Sequence, residues 1–73
     1  MADMPIKSEI SGNVWKILKG PGDSVAEEEP VMILESMKME IPVMAPRDGT
    51  IAGILVAEGD AVSENQVVAT LRG

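Results

Sequence analysis

Short apolar runs recur along the chain between breaks marked by glycine, proline and aspartate, and none of them keeps the helical period of an amphipathic helix. Val14 to Lys19, Val31 to Glu35, Met39 to Met44 and Ile51 to Val56 are rich in aliphatic and β-branched residues and read as strands. Pro5, Pro21, Pro30, Pro42 and Pro46 interrupt nearly every window long enough to make a helix. The pattern predicts an all-β chain. Val14 and Ile17 are three residues apart, which breaks strict alternation and predicts a bulge or local twist in that strand.

The pattern also repeats. A shift of 37 positions lays residues 11 to 36 on residues 48 to 73 without a gap. Nine of the 26 aligned pairs are identical, and they fall at turn glycines and apolar positions: Gly12/Gly49, Ile17/Ile54, Leu18/Leu55, Gly22/Gly59, Asp23/Asp60, Val25/Val62, Glu27/Glu64, Val31/Val68 and Leu34/Leu71. Each half opens on a glycine, runs as a strand, turns at Gly-Asp, makes a brief apolar contact at Val25 or Val62, and ends in a second strand near Leu34 or Leu71. Two similar halves related by an approximate two-fold axis are therefore expected to share one core. Asp23 and Asp60 are read as turn residues, Glu27-Glu28-Glu29 as a solvated turn, and Trp15 as a core or edge aromatic.

Between the halves, the strands Val31 to Glu35 and Met39 to Met44 are joined by only Ser36, Met37 and Lys38. So short a connection is a hairpin, with Lys38 at or beside its tip and the chain termini at the opposite end of the molecule. Met37 and Met39 have a plainer reading as adaptable core filler, since in a strand they would share one face while Lys38 took the other. The repeat and the flanking sequence favour instead a lysine presented to another molecule.

Composition narrows the classes that remain. At 73 residues, 45% of them hydrophobic, the chain is expected to be one domain spanning 1–73, near the lower size limit for a core that folds alone. Six basic against twelve acidic side chains give a net charge of -6, and Trp15 is the only aromatic, so phosphate attraction and base stacking are both missing and nucleic-acid binding is not expected. Without histidine or cysteine, the commonest general base and the readiest nucleophile are absent, as are a disulfide and a thiolate metal site. No apolar run approaches the length of a membrane span, and a cytoplasmic monomer is the simplest expectation.

The block Glu35-Ser36-Met37-Lys38-Met39-Glu40, midway between the half-repeats, resembles the attachment motif of biotinyl domains of the biotin carboxyl carrier family. The resemblance extends from Ile10 to Leu71 and includes the glycine-led strand SGNVWKI, both Gly-Asp turns, and Ala45-Pro46 followed by Gly49. It implies a flattened β-barrel or sandwich of two four-stranded antiparallel sheets, with Lys38 in a tight exposed turn. It further implies a non-catalytic carrier. A biotin protein ligase would join biotin to the Lys38 amine through an amide, and the carrier would visit a biotin carboxylase and then a carboxyltransferase. Met37 and Met39 would be read by these partners, with Glu35, Ser36 and Glu40 as the hairpin context. A lipoyl carrier is the alternative, because lipoyl domains share the fold, although their lysine more usually follows Asp and precedes Ala or Val. A cofactor-free adaptor barrel, in which Lys38 is incidental, is a third reading.

Three positions depart from the family pattern. Glu28 and Asn65 stand where these domains commonly place a turn glycine, so the first turn is expected to be strained or reshaped. Lys19 aligns with Val56 at a usually apolar position and is expected at a barrel rim, stem buried and amine in water. The gapless alignment leaves no room for the protruding thumb that some bacterial carriers insert in the first half.

Overall fold

The computed structural model describes residues 3–73. These form eight strands: β1 (Met4–Lys7), β2 (Gly12–Ile17), β3 (Ser24–Val25), β4 (Pro30–Ser36), β5 (Met39–Met44), β6 (Gly49–Ile54), β7 (Ala61–Val62) and β8 (Val67–Arg72). They make two four-stranded sheets, ordered β1-β8-β6-β3 and β5-β4-β2-β7, with every pairing antiparallel. Replacing each strand of one sheet by its counterpart four strands along the chain yields the other, which is the two-fold relation the repeat predicts. The sheets close over one apolar cluster that holds Val14, Val31 and Leu34 together with their repeat mates Ile51, Val68 and Leu71, all essentially without solvent exposure.

The repeat is kept down to single hydrogen bonds. The Gly22 amide donates to the Ile51 carbonyl at 2.8 Å and the Gly59 amide to the Val14 carbonyl at 2.7 Å. Asp23 Oδ2 accepts from the Gly20 amide and Asp60 Oδ2 from the Ala57 amide, which makes both aspartates the turn residues expected of them. The expected bulge lies between Val14 and Lys16, and an equivalent one lies between Ile51 and Gly53. A Cβ on Gly12 would come within 2.7 Å of the Glu35 carbonyl oxygen, and one on Gly49 within 2.7 Å of the Arg72 carbonyl oxygen, so the strand-opening glycines are required by close backbone approach.

The order within the chain differs from the sequence reading in particular places. Strands β2 and β6 begin and end two residues earlier than the apolar runs: past Ile17 the Leu18 and Lys19 amides both turn to the Val31 carbonyl, and the chain leaves the ladder while its side chains are still apolar. Trp15 is neither in the core nor on an edge strand. It is the extra residue of the β2 bulge, 49% exposed, on an interior strand of its sheet. The Lys19 amine is not left to water but pairs with Glu29 at 2.9 Å. Glu29 also accepts the Ala26 amide, so it is a structural part of the acidic turn, while Glu27 and Glu28 are exposed.

The repeat also reaches further than its identities suggest. β1 and β5 are equivalent edge strands, and each carries a proline, Pro5 and Pro42, 37 positions apart. A proline has no amide to offer a further strand, so both edges are blunted at the same place.

Glu28 and Asn65 both keep the left-handed backbone, at φ 68° and 70°, so the first turn is strained and not reshaped. Asparagine tolerates that region and glutamate does so at a cost on the order of 1 kcal/mol. Glu28→Gly is therefore expected to raise the denaturant midpoint by the equivalent of a few tenths to about 1 kcal/mol, with Asn65→Gly near neutral. Equal responses at the two sites in urea unfolding would contradict this.

The Glu29 carboxyl is held below the ordinary carboxylate range, chiefly by the hydrogen bond from the Ala26 amide and then by the one from Lys19. A depressed folded-state value means stability present above the unfolded value and lost as pH falls through the folded one. In the second half Gln66 makes the same bond, to the Ser63 amide at 2.9 Å, without a charge. Glu29→Gln is thus expected to fold, and the gap between wild-type and variant melting temperatures at neutral pH should close on acidification. A gap that widens in acid would be the wrong sign.

Candidate functional site

Strands β4 and β5 pair from Pro30 opposite Met44 up to Ser36 opposite Met39, which leaves Met37 and Lys38 as the two central residues of the hairpin turn. Their φ angles are +51° and +65°, the pattern of a type I′ turn. That turn matches the right-handed twist of paired strands, but it favours Asn-Gly, and a left-handed backbone costs about 1 kcal/mol or more at a residue with a full side chain. Two such residues stand in succession here, whereas the other left-handed positions among the described residues, Gly22, Glu28, Gly59 and Asn65, occur singly. Local stability alone would not select Met-Lys here; sustained strain at one exposed point is a mark of function.

Exposure agrees. Met37 is 91% and Met39 62% exposed, so neither is core filler, and Lys38 between them is exposed as well. Among the described residues Lys38 has no ion-pair partner. The turn closes one end of a molecule measuring 36 × 18 × 17 Å. In the other sheet Met4 of β1 pairs with Leu71 of β8, so the first and last strands of the chain lie side by side on a different sheet from the Lys38 hairpin.

The side chains around the turn divide by strand alternation. Leu34 and Ile41 face each other on the core side, and beyond them Ser36 and Met39 continue that side into solvent. Glu35 and Glu40 face each other on the outer side, both exposed. All six residues singled out from the sequence, Glu35 to Glu40, are thus brought together at the hairpin end. A groove of about 420 Å³ lies elsewhere, between the β1 and β5 edges over Ile6, Leu34 and Val43, and does not include Met37, Lys38 or Met39. The geometry offers a primary amine on a long flexible stem, held out by a rigid sheet and surrounded by open space. Such an amine suits acylation by an outside enzyme and does not suit catalysis by this chain, because an exposed, protonated ammonium is a weak nucleophile until another protein desolvates and deprotonates it.

Comparison with known proteins gives the same class. A family model described as "Biotin-requiring enzyme", the biotin/lipoyl model, matches residues 2–71. The chain belongs to the biotin/lipoyl attachment family. A biotin/lipoyl attachment protein of Bacillus subtilis is 41% identical over 68 residues, covering 93% of either chain. A biotin carboxyl carrier protein of Streptococcus mutans is 40% identical over 62 residues, covering 85% of this chain and 48% of the carrier. Among solved structures, the urea carboxylase of Kluyveromyces lactis superposes with a TM-score of 0.92 at 33% identity, over 99% of this chain and 6% of that enzyme. The chain therefore spans about half of the streptococcal carrier and a small part of the carboxylase. As a member of the biotin/lipoyl family it is a non-catalytic carrier domain, related to the carrier domains of biotin-dependent carboxylases.

Sequence reasoning missed two features near this site. It did not separate Glu35 and Glu40 as a facing pair, which only the register shows, and it misplaced Trp15, which faces outward beside the inward-facing Val14.

Proposed function

We propose that this domain carries biotin, joined through an amide to the Lys38 amine by a biotin protein ligase, and that it moves carboxylate from a biotin carboxylase to a carboxyltransferase. The observation that carries the reading is the pair of exposed methionines on either side of Lys38 in a strained turn. Two thioether side chains in water contribute nothing to the core, and soft, adaptable Met surfaces are suited to recognition by more than one partner. The relatives' names point the same way: a biotin carboxyl carrier protein, and an acyl-coenzyme A carboxylase subunit of Mycobacterium leprae at 36% identity over 67 residues.

Once acylated, the lysine stem and the valeryl tail of biotin form an arm of roughly ten single bonds, so the ring reaches about 12 to 15 Å from the backbone. An arm of that length enters sites too enclosed for the sandwich itself, and the tether raises the ring's local concentration at each partner. The rigid sheets hold the arm's root, and the two partner enzymes supply the chemistry.

The family also contains lipoyl carriers, and the experiment that separates the two cofactors is a rate comparison. The chain is incubated with ATP and either biotin plus a biotin protein ligase or lipoate plus a lipoate ligase. Biotinylation is expected to be much the faster. Faster lipoylation would assign the chain to the other cofactor, and no acylation by either would favour the adaptor reading.

A further inference from the structure

The internal repeat supplies a control for every position, since each half shows what the fold needs there when nothing else is asked of it. On the outer face of the β1-β8-β6-β3 sheet, the residues are Ala52 and Gly53 at the bulge, Thr70 on the neighbouring strand, and the pair Arg72 and Asp3, joined at 3.2 Å. The equivalent positions of the β5-β4-β2-β7 sheet hold Trp15 and Lys16, Ile33, and Glu35 and Glu40. The fold is thus satisfied by small and polar residues and by an attractive ion pair. On the hairpin side it instead exposes an indole beside an aliphatic residue and sets two carboxylates against each other, an arrangement that is unfavourable in a cross-strand pair. The departures lie on one face, and that face runs without interruption from Trp15 through Ile33 and Glu35 to the Lys38 turn.

We propose that this outer face, with Trp15 as its anchor, is the surface on which the ligase that acylates Lys38 docks, an inference that rests on the reading of Lys38 as the biotinylated residue. Reach favours the ligase over the other partners. The unmodified lysine extends roughly five bonds, about 6 Å, from the backbone, so an enzyme acting on its amine must close on the flanks of the turn. An enzyme acting on the biotin ring meets an arm about twice as long and can remain further off. The complementary ligase surface has an apolar recess for the indole and a basic side chain beside it to offset the facing carboxylates. Tryptophan is the residue most often found as the energetic centre of such contacts.

The test measures initial biotinylation rates against carrier concentration for wild type, Trp15→Ala and Leu55→Ala. Alanine is what the fold itself uses at the equivalent position, Ala52, and Leu55 is a comparably exposed aliphatic, 58% exposed, outside this face. Trp15→Ala is expected to raise KM roughly 30-fold with kcat retained, while Leu55→Ala matches wild type. An unchanged KM for a folded Trp15→Ala, or an equal rise for Leu55→Ala, overturns the docking surface while leaving biotinylation of Lys38 intact. A wild-type chain that accepts no biotin overturns both. Should Trp15→Ala fail to fold, isotope-labelled Lys38→Arg is titrated with the ligase. The single indole N–H signal and the amides of Gly12 to Ile17 should then shift, and shifts confined to the turn or to β6 and β8 reject the inference.

Discussion

Replacing Lys38 by arginine is expected to leave the fold unchanged and to abolish acylation of the chain. The side chain lies outside the core and makes no ion pair among the described residues, so the substitution removes nothing that holds the sheets together. Guanidinium remains protonated at any working pH and is a poor acyl acceptor, so no residual rate is expected. Lys7, Lys16 and Lys19 stay available in that variant, and none stands in a turn: Lys7 and Lys16 lie in strands β1 and β2, and Lys19 is paired with Glu29. Intact mass after exhaustive treatment with a biotin protein ligase reads the result. A biotinyl group on Lys38→Arg would mean that the enzyme takes any exposed amine.

Exchanging the two turn residues, Met37→Lys with Lys38→Met, tests geometry with composition and charge held constant. Both positions already have a left-handed backbone, at +51° and +65°, so the exchanged chain should fold with nearly the wild-type stability. The amine then leaves the turn from a different residue and in a different direction, and it has Ser36 before it in place of a methionine. Positioning errors of about 1 Å are enough to lower enzymatic rates on the order of a hundredfold, and the exchange moves the amine further than that. A loss of at least about a hundredfold in kcat/KM is expected, with the circular dichroism spectrum preserved. Efficient biotinylation of the exchanged chain would show that presentation by this turn is immaterial.

Much of this was readable from sequence because the fold is stated twice. Identities such as Gly12/Gly49 and Gly22/Gly59 mark places where backbone geometry admits no side chain or requires a left-handed turn, and those constraints survive divergence. The hairpin was readable because so few residues separate two apolar runs, and its turn residue Lys38 followed from the same spacing. Strand ends were less legible: Leu18 and Leu55 extend the apolar runs, yet both lie past the strands and are 41% and 58% exposed. The equivalence of β1 and β5 across the repeat left only Pro5/Pro42 as an identity, because edge strands with a single fully buried residue each tolerate apolar exchange, as Met4/Ile41 and Ile6/Val43 show. Trp15 was misread for a physical reason of another kind. A lone tryptophan in a small domain is ordinarily buried, but strand alternation places Trp15 on the outer face beside the inward-facing Val14, and the bulge that follows keeps Lys16 on that face as well.

The most direct measurement is a peptide map of the wild-type chain after reaction with biotin, ATP and a biotin protein ligase. One biotinyl group per chain, located on Lys38 with Lys7, Lys16 and Lys19 unmodified, is the expected result. Biotin spread over several lysines, or a chain that stays unmodified with an active ligase, would contradict the assignment of Lys38 as a presented attachment point.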